Sequence, residues 1–203
     1  MHTAPHIREA TPEDLDLLVD TLSDAFHDDP VMNWVIPERS LYADFFRIII
    51  RDLYFPKGII HLDDKGRGAA LWLPPGIAFE IPPRLGMLSL VVRLVLKRGF
   101  GTLIRMRDQG ALFDTHHPTS PHYYLQFIGC RRDAQGMGVG SSLLKQGTRL
   151  VDAEGMPAYL ESSNELNVPL YQRHRFEVTT QDRVSGDGPQ VWFMWREASQ
   201  PDS

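Results

Sequence analysis

Cys130-Arg131-Arg132-Asp133-Ala134-Gln135-Gly136-Met137-Gly138-Val139-Gly140-Ser141-Ser142-Leu143-Leu144 is the stretch on which the reading of this chain turns. It follows His122 to Cys130, a run with the composition of a buried strand, and opens a segment in which Val139, Leu143, Leu150 and Val151 recur at helical spacing. A glycine-rich turn therefore sits at a helix N-terminus. There the first backbone N–H groups lack intrahelical partners, and the helix dipole adds partial positive charge. That combination suits a phosphate. Gly136, Gly138 and Gly140 remove the Cβ atoms that would hold a phosphate away, and they permit the backbone angles of a tight turn.

Three phosphate-binding patterns compete for the loop. A Walker A loop needs Lys-Ser or Lys-Thr after its last glycine, and Ser141-Ser142 stand there instead. A dinucleotide fingerprint needs a small residue at the place of Ser141 and an acid about twenty residues on, which Glu161 supplies. Such a fingerprint, however, opens a series of strand-helix-strand units. Here the loop lies in the last third of the chain, followed by one strand, a short helix and a hairpin. The third pattern, Gln or Arg, two residues, Gly, one residue, then Gly or Ala, is filled by Gln135, Gly138 and Gly140. It resembles the acyl-CoA pyrophosphate loop of the GCN5-related N-acetyltransferases, the GNAT family.

The rest of the sequence bounds the setting. Its 203 residues suffice for one domain with a proper core. A formal net charge of −5 argues against a dedicated nucleic-acid binder. The single cysteine, Cys130, excludes an internal disulfide and fits a reducing compartment. No apolar run reaches the length of a membrane span, and the N-terminus lacks a basic segment followed by an apolar one. A cytoplasmic protein with no nucleic-acid and no membrane partner is expected. Oligomeric state is not legible.

Taken in order, Ile7 to Ala10 reads as a strand and Thr11-Pro12-Glu13-Asp14 as a helix start, by its cap, its proline and its acids. His27-Asp28-Asp29-Pro30 reads as the end of that helix, and Val31 to Arg39 as a fixed loop carrying Trp34. A second amphipathic helix is expected from about Leu41 to Tyr54, then a hairpin of Gly58 to Leu62 and Gly68 to Leu73. Pro82 to about Asp108 is helical in pattern, within a helical insertion at about 82–115. Its arginines and lysines suit a helix packed on the body, as a lid over an acceptor pocket, better than one lying on a membrane. After the glycine loop come a helix stopped by Gly155, a strand Ala158 to Ser162, and a short helix capped by Asn167 with Pro169 in its first turn. Phe176 to Arg183 and Gln190 to Arg196 read as a closing hairpin.

The resemblance extends beyond the loop. A strand, the glycine loop and helix, a second strand, Asn164, Tyr171 and Phe176 together look like the N-acetyltransferase core from its fourth strand to its end. Leu160-Glu161-Ser162-Ser163, Asn167, Pro169, Leu170-Tyr171 and Phe176 are similar to the branch that acetylates puromycin, and the similarity is dense from His117 to Val178. One departure is Arg175, where the family usually has glycine. The resemblance implies an α/β fold: a single GNAT-like domain over 1–203, a mixed twisted β-sheet flanked by α-helices, with the helical insertion before the fourth strand.

It also implies a chemistry, the transfer of an acetyl group from acetyl-CoA to an amine. Pantetheine would pair with the backbone of Phe127, Ile128, Gly129 and Cys130 as an added strand, with Gly129 marking a bulge. The pyrophosphate would lie on Gln135, Gly136, Met137, Gly138, Val139, Gly140 and Ser141, with Arg131, Arg132 and Lys145 adding charge. Asn164 or Asn167 would contact the cofactor. Tyr171 would protonate the leaving thiolate. A phenol near pKa 10 and a thiol near 8.5 make full transfer uphill by roughly 2 kcal/mol, and a hydrogen bond to the developing thiolate needs no full transfer.

Glu161, at a strand end beside the cleft, is the leading base, with His116, His117 and His122 as weaker alternatives. Cys130 as a nucleophile is weaker still, since direct transfer needs no acyl-enzyme. No metal-ligand spacing is present. The expected function is acetyl-CoA-dependent N-acetylation of a small-molecule amine. The alternatives are a protein or peptide N-acetyltransferase and a non-catalytic acyl-CoA-binding module.

Overall fold

The computed structural model describes residues 4–80 and 85–198. The chain opens with β1 (Ile7–Glu9), a 3-10 turn at Pro12–Asp14, and α1 (Leu15–Ala25). Asp14 returns its carboxylate to the Thr11 N–H at 2.8 Å and holds Arg8 in a two-point ion pair at 2.7 Å, which ties the strand to the helix.

A short helix, α2 (Pro30–Val35), occupies part of the segment expected as a loop. Asp29 is its N-cap, accepting from the Met32 N–H at 2.8 Å, and Pro30 takes the first position. The Asp-Pro pair that reads as a stop is also a start. The next helical stretch runs as α3 (Tyr42–Ile49), a π-helical turn (Ile50–Tyr54) and α4 (Phe55–Lys57). The wider turn lets Ile48, Ile49, Ile50, Leu53 and Tyr54 all be buried, which a regular helix would spread around its circumference.

β2 (Ile59–Asp63) and β3 (Gly68–Leu73) form the expected hairpin. Its turn is clamped by the fully buried Asp63 carboxylate, which takes the Arg67 guanidinium at 2.7 and 2.8 Å. The insertion is two helices, α5 (Leu85–Arg98) and α6 (Gly101–His116), instead of one. Gly99 ends the first at φ +81°. The expected start at Pro82 lies outside the described residues.

β4 (Tyr123–Cys130), α7 (Val139–Ala153), β5 (Ala158–Ser162), α8 (Val168–Arg173), β6 (Glu177–Arg183) and β7 (Gln190–Arg196) complete the chain. The strands form one mixed sheet in the order β1-β2-β3-β4-β5-β7-β6. Neighbours are antiparallel except β4 and β5, which are parallel and joined by the α7 crossover.

That parallel pair is short. Only Tyr123 with Ala158 and Tyr124 with Tyr159 are in register. Two residues on, Leu71 pairs with Phe127 and Trp72 with Leu125, so Gln126 is the extra residue of a bulge that bends β4. The bulge is therefore at Gln126 and not at the expected Gly129, which pairs regularly with Ala69. Gly129 is needed for another reason: a Cβ there would lie 2.6 Å from the Ala25 Cβ.

One apolar cluster lies under α1, α3 and α5 on one face of the sheet, and the other under α7 and α8. In the second, fully buried Trp72 packs on Gly147, where an added Cβ would be 2.3 Å from the indole. Gly147→Ala is therefore expected to lower stability by about 1–3 kcal/mol. A fall in the urea midpoint at unchanged m-value checks this; an unchanged midpoint would mean the contact has slack.

Candidate active site

A cleft of about 520 Å³ opens where β4 and β5 part. Ile128, Gly129 and Cys130 form its floor, and the glycine loop with the first turn of α7 forms one wall. Residues from Asn164 to Arg173 form the other, and the end of α1 through Asp29 closes the side.

The loop has the conformation its glycines allow. Gly136 and Gly138 lie at φ +77° and +79°, with nothing within 4 Å of where a Cβ would be. Backbone angle, not crowding, requires glycine at both. Gly138 is the N-cap of α7, and the first α-helical bond joins the Ser142 N–H to the Gly138 carbonyl at 3.0 Å. The N–H groups of Val139 to Ser141 precede that bond in the first turn, where a helix N-terminus suits an anion, and the Gly140 N–H is within reach of the Cys130 sulfur.

The side chains named from the sequence divide among several places. Ile128, Gly129, Cys130, Gln135, Gly136, Gly138, Val139, Gly140, Ser141, Asn164, Asn167 and Tyr171 all line this cleft. Met137 is 40% exposed and does not line it, and the Phe127 ring turns into a second cavity. Ser141 Oγ is 2.8 Å from His174 Nε2.

The capping roles of the two asparagines are the reverse of expectation. Asn164 Oδ1 accepts from the Leu166 N–H at 3.0 Å, capping a 3-10 turn, whereas Asn167 makes no side-chain cap. That 3-10 turn, Glu165–Asn167, intervenes before α8 and shifts the capping need upstream. Arg132 is held by Asp24 through three hydrogen bonds of 2.8 to 3.1 Å and lies outside the cleft lining. The cation that does line it is Arg173, one turn beyond Pro169 on α8, which lies far from the glycine loop in sequence and carries no local signal of its place.

Tyr171 is buried on α8. The helix ends in a Schellman motif: the Phe176 N–H bonds to the Tyr171 carbonyl at 3.2 Å and the Arg175 N–H to that of Gln172 at 2.9 Å. Arg175 takes the left-handed position at φ 69°, the place where the family usually has glycine. The turn is thus kept without the glycine. Burial first, and then the nearby Asp29 carboxylate, raises the Tyr171 phenol well above its ordinary value, so it holds its proton at neutral pH. Burial also pushes the Cys130 thiol up to about 11. A protonated thiol is a poor nucleophile.

A second cavity, of about 300 Å³, lies under α5 and α6. Phe45, Phe79, Phe113, Phe127 and several Leu, Val and Met side chains make it mainly apolar, with Asp29 and Glu161 as its acids. It shares Phe26 and Asp29 with the larger cleft, so the two cavities adjoin there. Asp29, absent from the sequence-based site, accepts from Ser163 Oγ as well as from Met32, and burial raises its carboxyl above the usual range. Its capping position before Pro30 was the signal available for it.

Glu161 faces this second cavity with its side chain 4% exposed. Its Oε1 has no hydrogen-bond partner, and its charge adds to burial in raising the Tyr124 and Tyr159 phenols. Of the histidines, His116 is paired with Asp182 at 2.9 Å, and His122 Nδ1 is 2.7 Å from the Ser120 carbonyl. His117 Nδ1 lies 3.9 Å from Glu161 Oε1. Among the described residues no group of three or more His, Cys, Asp or Glu is arranged to hold a metal, and no helix is long and apolar enough to cross a membrane.

Residues 98–176 match the acetyltransferase (GNAT) family model. An uncharacterized N-acetyltransferase of Schizosaccharomyces pombe is 27% identical over 183 residues, spanning 84% of this chain and 74% of that protein. The structure of histone acetyltransferase HPA2 and related acetyltransferase from Corynebacterium glutamicum superposes with a TM-score of 0.70 at 25% identity, covering 99% of this chain and all (100%) of that one. Arylalkylamine N-acetyltransferase 2 from Aedes aegypti shares the fold, with a TM-score of 0.63 at 12% identity over 97% of this chain and 100% of that one. The chain is a single GNAT-like α/β domain, and these matches support an acetyltransferase of the GNAT family.

Replacing Gly138 with valine puts a β-branched residue at φ +79°. The loop escapes a strain of about 1–2 kcal/mol by leaving the cradle conformation, which a ligand must then restore. Binding of CoA, measured by calorimetry, is expected to weaken by about tenfold, and an unchanged affinity would mean that the cradle is not where the pyrophosphate lies.

Proposed function

We propose that the protein transfers an acetyl group from acetyl-CoA directly to the amine of a small molecule with an apolar body. The observation that carries this reading is the pair of adjoining cavities, one lined by an anion cradle and a strand edge, the other apolar with a buried carboxylate. A mainly apolar pocket of about 300 Å³ covered by two helices suits a small acceptor better than an extended polypeptide. The sequence resemblance to the puromycin-acetylating branch is dense from His117 to Val178 and otherwise touches only the segment around Ala25-Phe26 and Pro30, whereas most of the second cavity's lining comes from elsewhere.

The backbone of Ile128 to Cys130 and the first N–H groups of α7 would hold the cofactor, with Arg173 near its anionic part. Acetyl-CoA, when bound, supplies the activated acetyl thioester. Glu161 takes a proton from the entering ammonium, so that a neutral amine faces the cleft. Tyr171 Oη donates toward the departing sulfur, a role for which its raised pKa keeps it protonated.

Tyr171→Phe is expected to lower kcat by about 100-fold or more while leaving CoA affinity unchanged. Equal turnover in the two proteins would remove Tyr171 from the chemistry. Because the phenol is raised, deprotonation of Tyr171 sets in only above its ordinary value of about 10, so the wild-type kcat should show no alkaline loss from this group below that pH. A pH-rate profile, paired with thiol release across a panel of amines, checks both statements.

A further inference from the structure

A base buried in an apolar pocket must pass its proton on before the next turnover. Glu161 has no exposed edge through which to do so: its side chain is 4% exposed. Its Oε1 makes no well-formed hydrogen bond, and a buried oxygen left so calls for a reason. Tyr159 Oη, in the same cluster, also makes no well-formed hydrogen bond, although it and Tyr124 stand close enough to Glu161 for the carboxylate to raise both phenols.

The far side of this cluster opens into a third cavity, of about 310 Å³, between Pro74–Ala78 and His117–His122. It shares no residue with the cofactor cleft, and Tyr124 is the partition between it and the acceptor pocket. His117 lines it with a side chain 38% exposed. Its backbone N–H caps α6 on the Phe113 carbonyl at 2.8 Å. Its ring packs edge-on against Tyr124 and Tyr159, at 5.1 Å from each. One flank of the ring therefore meets solvent while Nδ1 stands 3.9 Å from Glu161 Oε1.

We propose that His117 is the outlet for the proton that Glu161 removes from the amine, releasing it into the cavity beside Pro74 on the side opposite the acceptor. The inference rests on the acetyltransferase reading above and extends it. The steps balance without a further reactant. The ammonium gives a proton to the Glu161 carboxylate, leaving the free amine and a carboxylic acid. The acid passes that proton to the lone pair of neutral His117, restoring the carboxylate and leaving an imidazolium. Water in the outer cavity then takes the proton.

The gap of 3.9 Å exceeds a hydrogen bond, so the ring must close by roughly 1 Å, or one water must bridge it. The other titratable groups facing the pair are Tyr54, His122, Tyr124 and Tyr159, the Tyr54 phenol being raised by burial and by Glu161. Burial raises the phenols of Tyr124 and Tyr159 as well, and His122 commits Nδ1 to Ser120 while burial favours its neutral form.

The experiment uses the full chain, with an amine that supports turnover in the wild-type protein. His117→Ala should lower kcat at least about tenfold, with the KM for acetyl-CoA unchanged, and millimolar imidazole should restore much of the loss by entering the space left in the outer cavity. His117→Gln should lose as much and gain nothing from imidazole, because its side chain fills that space. An unimpaired kcat, or a loss that imidazole does not repair, overturns the relay. A second readout needs no turnover: the His117 ring signals, followed by NMR through a pH titration, should be displaced between wild type and Glu161→Gln. Coincident curves overturn the coupling, even where His117→Ala fails to fold. Absence of thiol release from the wild type with every amine would instead sink the acetyltransferase reading, and the relay with it.

Discussion

Everything at the site depends on the failure of two parallel strands to stay paired. β4 and β5 are in register at Tyr123 and Tyr124, and then β4 bends at the Gln126 bulge while β5 continues alongside β7. A sheet that stayed closed would satisfy its backbone groups internally and offer nothing to a ligand. Opening it exposes a strand edge, normally a liability that proteins cover. Here α7 and α8 stand on one side of the gap and the end of α1 on another, so the edge is sheltered from other chains and open to an extended small molecule.

The same divergence separates two kinds of environment. On one side lie the exposed glycines, Arg173 and the first turn of α7, suited to an anion. On the other lie Phe45, Phe79, Phe113 and Phe127 around a nearly buried carboxylate. Desolvation raises the phenol of Tyr171 and the thiol of Cys130, keeping a proton on each. Charge is thereby confined to a few atoms. Asp29 stands at the boundary, bonded to its own helix and to Ser163, 134 residues away, and lines both cavities.

The parts of this arrangement set by local chemistry were legible in the sequence. The glycine loop, the α7 stop at Gly155, the strand Ala158–Ser162 and the closing hairpin follow from turn residues and periodicity, and each stands within a residue or so of its expected place. What was not legible depends on distant contacts or on signals with two meanings. Asp29-Pro30 serves as well to begin a helix as to end one. The insertion breaks at Gly99 because a left-handed residue lies between two helical patterns that read as one. Gln126 bulges through its pairing with β3, which no local feature of Phe127 to Cys130 announces. Arg132 and Arg173 exchange importance because Asp24, far off in sequence, claims the first.

Gly129 carries a consequence for how this protein can vary. Its missing side chain is the space into which the Ala25 methyl fits, 2.6 Å from where a Cβ would be. The floor of the cleft and the last turn of α1 are therefore a lock and key of single atoms. Neither position can enlarge unless the helix withdraws, and withdrawal would carry Phe26 and Asp29 away from the boundary between the cavities. Drift at these two sites is coupled, and a homologue with a bulkier residue at one should have moved its first helix or reshaped the boundary between the two cavities.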